Sequence, residues 1–234
     1  MQSIRVFLAL ATALVLQGAG AALAQQLTGD AAKGYADFEN AIPQRAIAIS
    51  PNGKSHSWQS GASGRDPGSV VDIVMGRCAE RAKTNCQVHA VNNVLVAGRD
   101  WKTLMPAPGP PIGRLASYPW WQTKGPQSAS GLLVWSHGYK EGIDATASGM
   151  QQYVGRFLAA GYDLYRFDRE YIRDWPGDST ALAEAVRQAK SMGYKRVILA
   201  GQSAGAWASM AAAMRGAPAD GVISVAAAHQ GEMK

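Results

Sequence analysis

The feature that most constrains this chain is the stretch 197–207, where a short apolar run leads directly into a Gly-Gln-Ser-Ala-Gly turn and an alanine-rich segment. The apolar run is typical of a buried strand, and the alanine-rich segment favours a helix. Gly201 and Gly205 stand where a tight turn would bring side chains against the neighbouring strand and helix. We therefore predict a strand, a sharp turn that carries Ser203, and a helix, the arrangement called a nucleophile elbow.

From Gly131 onward, apolar runs alternate with helical segments, which is typical of a parallel α/β sheet. The expected strands lie at 132–135, 162–167, 195–200 and 221–228, and the expected helices at 145–160, 178–192 and 204–214. Asp178, Ser179 and Thr180 are the candidate caps of the second helix. The turn at 201–205 therefore has the strand-and-helix context that its motif requires.

Residues 131–234 resemble the central part of an α/β-hydrolase of the esterase or dienelactone-hydrolase kind. The likeness rests on 133–138, which is similar to the family's strand and oxyanion loop, and on the elbow at 201–205. It implies a parallel sheet with flanking helices, with the elbow strand between the strands at 132 and 222. It also implies that Ser203 is a nucleophile that works without cofactor or metal. A serine here, in place of cysteine, disfavours thiol chemistry of the dienelactone-hydrolase type.

The same resemblance implies where a negatively charged carbonyl oxygen would be stabilised. In the family, backbone N–H groups bind this oxyanion. The corresponding groups are the N–H of Ala204 at the helix start and an N–H of Gly138 or Tyr139 in the loop after the first strand. The helix dipole favours the negative charge at this place. His137 either shapes the loop or transfers protons, and we favour the first role.

The loop at 168–175 follows the carboxyl end of a strand, the edge at which open α/β sheets bind ligands. Arg169, Arg173 and Trp175 are therefore candidate residues of a substrate cleft. The alternative is a charged loop that contacts only solvent. The partner implied by such a cleft is a small-molecule ester or a peptide.

A serine nucleophile needs a histidine oriented by a carboxylate, and few candidates follow Ser203. Asp220 precedes the last expected strand, at the wrong edge of a parallel sheet, whereas His229 follows that strand and precedes Glu232. His229 is only a weak candidate for the base, because the family places its histidine on a later loop. We therefore expect an incomplete α/β-hydrolase domain, truncated after the elbow region and lacking the usual triad partners.

Residues 1–24 have the pattern of a secretory signal peptide. Arg5 supplies the positive end, 6–16 form an apolar run, and small residues lead to a cleavage site after Ala24. We predict a periplasmic or secreted protein with no stable membrane anchor after cleavage. The alternative is an uncleaved anchoring helix. The net charge of +6 is scattered along the chain, so the sequence does not indicate nucleic-acid binding.

Residues 44–97 are expected to form a small α+β module. The pattern predicts a strand at 45–49, a turn and returning strand at 51–58, a helix capped by Asp66 with Pro67 at its first position, and a strand at 86–91. Residues 98–130, rich in Pro and Gly, are expected to be a linker with an edge strand at 113–122.

Cys78 and Cys86 are the two cysteines of the sequence. One stands late in the predicted helix and the other opens the next strand, so in an exported protein they most simply form a disulfide. Free thiols and a metal site are the alternatives. A structural zinc needs four ligands, and His89 alone is near.

Two functional hypotheses follow. The first is an exported serine-dependent hydrolase of ester or amide bonds, impaired by the loss of its late triad residues. The second is a non-catalytic binding or cell-envelope-associated protein in which the elbow is a relic and the disulfide module recognises a partner. The sequence does not separate esterase from peptidase.

Overall fold

The computed structural model describes residues 27, 29–61, 66–138, 149–169 and 175–227. The helices are α1 Gly29–Glu39, α2 Gly68–Ala82, α3 Trp101–Leu104, α4 Tyr153–Ala159, α5 Trp175–Ser191 and α6 Ala204–Met214. The strands are β1 Arg45–Ile49, β2 His56–Ser60, β3 Gln87–Val91, β4 Val94–Leu95, β5 Leu115–Ser117, β6 Leu132–Ser136, β7 Asp163–Phe167, β8 Val197–Gln202 and β9 Gly221–Val225. They form two sheets, ordered β2-β1-β3-β4 and β5-β7-β6-β8-β9.

The first sheet is antiparallel and buries β1 on both faces. On one face, Ala46 and Ala48 pack against the apolar side of α2. On the other face, Ile47 and Ile49 pack against Phe38 of α1. The predicted β1–β2 hairpin is present. The sequence did not predict α1, which supplies half of the cover over this strand.

The apolar side of α2 is the one predicted, since Val70, Val71, Val74 and Cys78 are all buried. Asp66 accepts a hydrogen bond from the N–H of Gly68 through Oδ1, but the N-cap position is Pro67, so the prediction of Asp66 as the cap is wrong by one residue. Pro67 precedes the first helical residue instead of occupying that position. The difference is one residue and leaves the buried face unchanged.

Cys78 and Cys86 form a disulfide, with their Cα atoms 6.0 Å apart. The predicted pairing is therefore confirmed. The bond ties the last turn of α2 to the residue that precedes β3. It closes the α2–β3 connection covalently, and both cysteines are buried in the cluster between α2 and the sheet.

In the second sheet, β7, β6, β8 and β9 run parallel, and β5 pairs antiparallel with β7. The strand before the elbow, β8, lies between β6 and β9, as expected. β9 forms the far edge of the sheet, where Val222 is 37% exposed. The structure confirms a mixed α/β fold with a parallel-containing sheet, flanking helices and one disulfide, while its identity as an incomplete α/β-hydrolase domain stays a prediction.

Helices cover both faces of this second sheet. On one face, Leu182 of α5 and Ala212 of α6 pack into a cluster with Leu199 of β8. On the other face, Val154 of α4 packs with Leu133 of β6. The helix predicted at 145–160 is described only from α4, because residues 139–148 lie outside the described part of the chain.

The start of α5 corrects one prediction. The helix begins at Trp175, so Asp178, Ser179 and Thr180 lie inside it and are not its N-caps. The hydroxyl groups of Ser179 and Thr180 instead donate to the carbonyl of Pro176. Pro is well suited to a first helical turn, since the N–H that it lacks has no helical acceptor there. The helix therefore starts upstream of the polar cluster.

The segment 118–122 connects the two sheets. Gln44 donates through Nε2 to the carbonyl of Pro119 at 3.3 Å, and Asn92 donates through Nδ2 to the carbonyl of Trp120 at 2.7 Å. Trp121 is buried in the same cluster as Ile42. The division of the chain into domains at 98–130 stays a prediction.

Replacing Cys78 and Cys86 together by serine is expected to lower the free energy of unfolding by about 2–3 kcal/mol. The reason is that the bond, with a sequence separation of 8, restricts the unfolded chain. Denaturant unfolding of both proteins measures the loss. A reductant should reproduce it in the parent protein and leave the double variant unchanged. A loss well below 1 kcal/mol would contradict a stabilising role for the bond.

Candidate active site

Ser203 stands at the turn between β8 and α6 in a conformation that side chains rarely adopt. Its backbone angles are φ 52° and ψ −120°. A residue other than glycine held in such a region costs about 1–3 kcal/mol and persists only when its surroundings enforce it. The side chain is half-buried at the carboxyl edge of the sheet.

Two backbone hydrogen bonds hold Ser203 in place. Its N–H donates to the carbonyl of Val225 in β9 at 2.9 Å, and its carbonyl accepts from the N–H of Trp207 at 3.1 Å. The first bond continues the pairing of β8 with β9, and the second belongs to the first turn of α6. β9 and α6 therefore each hold Ser203 by one backbone hydrogen bond.

The two glycines of the motif are required by close backbone contacts. A β-carbon at Gly201 would lie 2.4 Å from the carbonyl carbon and oxygen of Gly205. A β-carbon at Gly205 would lie 2.0 Å from the carbonyl oxygen of Ser136 and 2.5 Å from that of His137. Real β-carbons do not approach other atoms so closely. The helix α6 can rest on β8 and on the end of β6 only because both residues are glycine.

The expected oxyanion groups lie on either side of Ser203. Ala204 is the first residue of α6, where N–H groups have no helical acceptor. Ser136 of β6 pairs with Gly201 of β8, and continuing this register by two residues places Gly138 opposite Ser203. Tyr139, the other loop candidate, lies outside the described residues. Gly138 and Ala204 are therefore the described candidates for this role.

His137 is held by the loop that it was expected to shape. Its Nδ1 lies 2.6 Å from the carbonyl oxygen of Gly138. Since a carbonyl only accepts, the neutral ring carries its proton on Nδ1 and leaves Nε2 as an acceptor. Burial lowers the pKa of His137, and the nearby charge of Arg169 lowers it further. Nε2 is buried and has no hydrogen-bond partner within the described ranges. The lowered pKa favours the neutral ring.

Arg166 of β7 and Arg169, which follows that strand, lie near His137. Arg169 donates through Nη2 to the carbonyl oxygen of His137. Arg166 pairs through Nη2 with Asp168 at 2.9 Å. The remaining nitrogens Nε and Nη1 of Arg166 and Nη1 of Arg169 are buried and have no acceptor among the residues that the structure describes. Each buried donor left without an acceptor costs about 1–3 kcal/mol.

The sequence reasoning selected Arg169 but missed Arg166 and Asp168. Arg166 is the fourth residue of β7, a strand that is buried along its whole length. A charged residue inside an apolar run was the signal that could have identified it, because a buried charge requires a partner. Of the other cleft candidates, Arg173 lies outside the described residues, and Trp175 is placed only as the first residue of α5.

The general base is not located among the described residues. Within them, no histidine donates to or accepts from the hydroxyl of Ser203. His229 and Glu232 lie outside the described ranges. Asp220 lies before β9, at the opposite edge, and its Oδ2 accepts from Lys190 Nζ at 2.6 Å and from the Val197 N–H at 2.7 Å. The prediction that Asp220 is at the wrong edge therefore agrees with the structure.

A separate cavity of about 250 Å³ lies between the first sheet and the α4 side of the second. Phe38, Asn92, Trp121 and Tyr162 are among the residues that line it, together with Arg45. Ser203 is not one of its lining residues. Within the described part of the chain, no group of three or more His, Cys, Asp or Glu side chains could hold a metal ion.

Comparison with protein-family models, curated proteins and solved structures found no match to this chain. The α/β class and the disulfide are thus established from the coordinates. The hydrolase resemblance rests on the residues of the elbow and of the loop after β6. Function must be argued from the geometry of this site.

Gly205→Ala is expected to prevent folding or to lower the free energy of unfolding by more than about 3 kcal/mol, because its β-carbon would overlap the carbonyl of Ser136. Gly76→Ala is the matched control. A β-carbon at Gly76, in the interior of α2, meets nothing within 4 Å, so this variant should be more stable by about 0.5–1 kcal/mol. Thermal and denaturant unfolding measure both. Equal effects of the two substitutions would contradict the close contact.

Proposed function

We propose that this protein is a serine-dependent hydrolase of ester or amide bonds, with Ser203 as nucleophile and with a domain similar to those of the α/β-hydrolases. The observation that carries the proposal is the conformation of Ser203, φ 52° and ψ −120°, between a central parallel strand and a helix. A strained backbone conformation that the surrounding structure imposes, here through the close contacts at Gly201 and Gly205, is typical of a functional position.

The topology supports the same proposal. The parallel strands order as β7-β6-β8-β9, so the elbow strand has a parallel neighbour on each side and its carboxyl end faces the loops after β6 and β7. Open α/β sheets bind ligands at this edge. The strand order agrees with the one that the resemblance implies around the elbow.

The chemistry follows from the position of Ser203. The hydroxyl oxygen attacks the carbonyl carbon of an ester, and the negative charge that develops on the carbonyl oxygen is bound by the N–H groups of Ala204 and Gly138. Collapse of this intermediate breaks the bond to the leaving group, which departs as an alcohol with the proton from Ser203. Water then cleaves the acyl-serine and restores the hydroxyl. An amide reacts in the same way and releases an amine.

His229 is the candidate base in this scheme. The carbonyl of Val225 binds the N–H of Ser203, so the chain passes beside the nucleophile shortly before it reaches His229. This proximity in sequence supports the candidate. The carboxylate partner that orients a catalytic histidine is not assigned.

Export of the protein is part of the proposal. The disulfide between Cys78 and Cys86 is compatible with an oxidising compartment. None of the helices in the described ranges is long and apolar enough to cross a membrane. The signal peptide at 1–24 lies outside these ranges and remains a prediction from the sequence.

A non-catalytic binding protein is the second candidate. The cavity of about 250 Å³ between the two sheets supports it, since this volume is close to the lower end of the range for small-molecule sites. The cavity lies away from the elbow residues. Binding there would not need Ser203.

A fluorophosphonate probe, which modifies activated serines, separates the two candidates. We expect labelling of the folded protein that falls at least 100-fold in Ser203→Ala, because this variant removes the nucleophile. Ser224→Ala is the control, since Ser224 is an exposed serine of β9 that pairs with Gly201. Folded protein that takes up no probe would argue against the hydrolase and for the binding protein.

A further inference from the structure

The cavity between the two sheets has a buried guanidinium group in its wall. Arg45 is 4% exposed and lines this cavity of about 250 Å³. Its Nε donates to the carbonyl of Asn92, and its Nη1 donates to the carbonyls of Glu39 and Ala41. Nη2 forms no hydrogen bond with the residues that the structure describes. Because Nε and Nη1 are engaged, Nη2 is the nitrogen that remains available to a ligand in the cavity.

This guanidinium group is fixed in position by the protein itself. Its carbon lies 4.8 Å from the centroid of the Phe38 ring and 5.1 Å from that of the Trp121 ring. The hydrogen bonds of Nε and Nη1 to main-chain carbonyls fix its plane. A group that is already immobile loses little conformational entropy when a ligand binds. Arg45 is therefore prepared to donate a hydrogen bond to an acceptor in the cavity.

The charges in the cavity wall are of both signs. The charged lining residues are Glu39, Arg45 and Lys124. Burial lowers the pKa of Arg45 and the carboxylate of Glu39 raises it, so the two charges are close to each other. Among the described residues, however, they form no direct ion pair. Lys124 is exposed, and water solvates its charge. The cavity therefore presents a cation and an anion whose charged groups do not touch.

The amide side chains beside these charges are engaged in holding the structure together. Asn92 donates to the carbonyl of Trp120 at 2.7 Å and accepts from the N–H of Arg45 at 3.1 Å. Asn93 donates to the carbonyl of Gln122 at 2.7 Å and accepts from its N–H at 2.9 Å. These amides are not available to the hydroxyl groups of a sugar. The Arg45 and Glu39 charges are therefore the groups that select the ligand.

The rest of the wall includes apolar side chains, and the cavity is small. The aliphatic lining residues are Ala90, Val94, Leu95, Leu158 and Ala159. A volume of about 250 Å³ corresponds to roughly eight water molecules in the liquid. A ligand of similar size has on the order of ten non-hydrogen atoms, which is below the range of drug-sized molecules. Leucine has this size, one charge of each sign and an apolar side chain.

We propose that this cavity binds an apolar α-amino acid as a zwitterion, with its carboxylate at Arg45 and its ammonium group at Glu39. The zwitterion is neutral, so it bridges the two charges of the wall without changing their balance. Glu39 is also the last residue of α1, and the negative end of a helix dipole favours a cation. The inference goes beyond the hydrolysis proposed for Ser203 and does not depend on it.

The test compares L-leucine with two analogues that each lack one charged group. 4-Methylpentanoate has no ammonium group, and 3-methylbutylamine has no carboxylate. Isothermal titration calorimetry at neutral pH measures the three dissociation constants. We expect L-leucine to bind roughly 10- to 100-fold more tightly than either analogue, the effect of one charge-assisted hydrogen bond. Binding of 4-methylpentanoate as tight as that of L-leucine would overturn the proposal, because the ammonium group would then have no partner.

Glu39→Gln tests the anion in the wall. Glu39 is exposed, and the substitution leaves in place the main-chain carbonyl that accepts from Arg45. We expect it to weaken L-leucine binding about tenfold and to leave 4-methylpentanoate binding no weaker. Asp37→Asn is the matched control, since Asp37 is an exposed acid of the same helix that does not line the cavity. It should leave both affinities unchanged.

The outcomes separate this proposal from the hydrolase. No binding of L-leucine to the folded protein, or equal losses in Glu39→Gln and Asp37→Asn, would overturn the amino-acid site. Neither result bears on Ser203, because calorimetric binding needs no turnover. Ser203→Ala should bind L-leucine as tightly as the parent protein, since Ser203 does not line the cavity. A loss of binding in Ser203→Ala would contradict the location of the site.

Discussion

The contact between Gly205 and the end of β6 is the constraint on which the carboxyl edge of the second sheet depends. A β-carbon at Gly205 would lie 2.0 Å from the carbonyl oxygen of Ser136. The backbone of α6 therefore packs against the end of β6 with no room for a side chain. The chain must then reverse direction within one residue, and Ser203 is that residue. The hydrogen bonds that Ser203 donates to the carbonyl of Val225 and accepts from the N–H of Trp207 help to offset the cost of its strained conformation.

The buried arginines of this molecule differ in how completely their N–H donors are satisfied. Arg45 of β1 donates to the carbonyls of Asn92, Glu39 and Ala41, and the ring of Trp121 lies 5.1 Å from its guanidinium carbon. Burial lowers the pKa of Arg45 to about 10. Its Nε and Nη1 have partners, and the residue joins α1, β1 and the 118–122 segment. Arg166 pairs with Asp168 and Arg169 donates to the carbonyl of His137, but other nitrogens of both groups are buried and have no acceptor among the described residues.

Prediction from the sequence succeeded for elements that depend on residues close together in the chain, and it failed for an element that depends on a distant contact. The bounds of α6 and the buried side of α2 depend on residues close together in the chain, and both were predicted correctly. α1 was missed because it has one large buried side chain, Phe38, and a glycine in its interior. Gly34 lowers helix propensity, yet a β-carbon there would lie 2.0 Å from the ring of His56. The helix forms because it fits against β2, and a single sequence does not show that contact.

The sequence by itself determined the elbow, its two glycines, the disulfide and the alternation that produces a parallel sheet, since each follows from local spacing or from the chemistry of a residue pair. Only the tertiary structure decided which side chains meet at the edge. Arg166 and Arg169 come near Ser203 through the pairing of β7, β6 and β8, and strand order is set by how helices and sheets bury their apolar faces together. The burial that leaves guanidinium nitrogens without acceptors is likewise a property of the packed molecule. For that reason the sequence pointed to Ser203, and the fold showed which charged side chains lie at the same edge of the sheet.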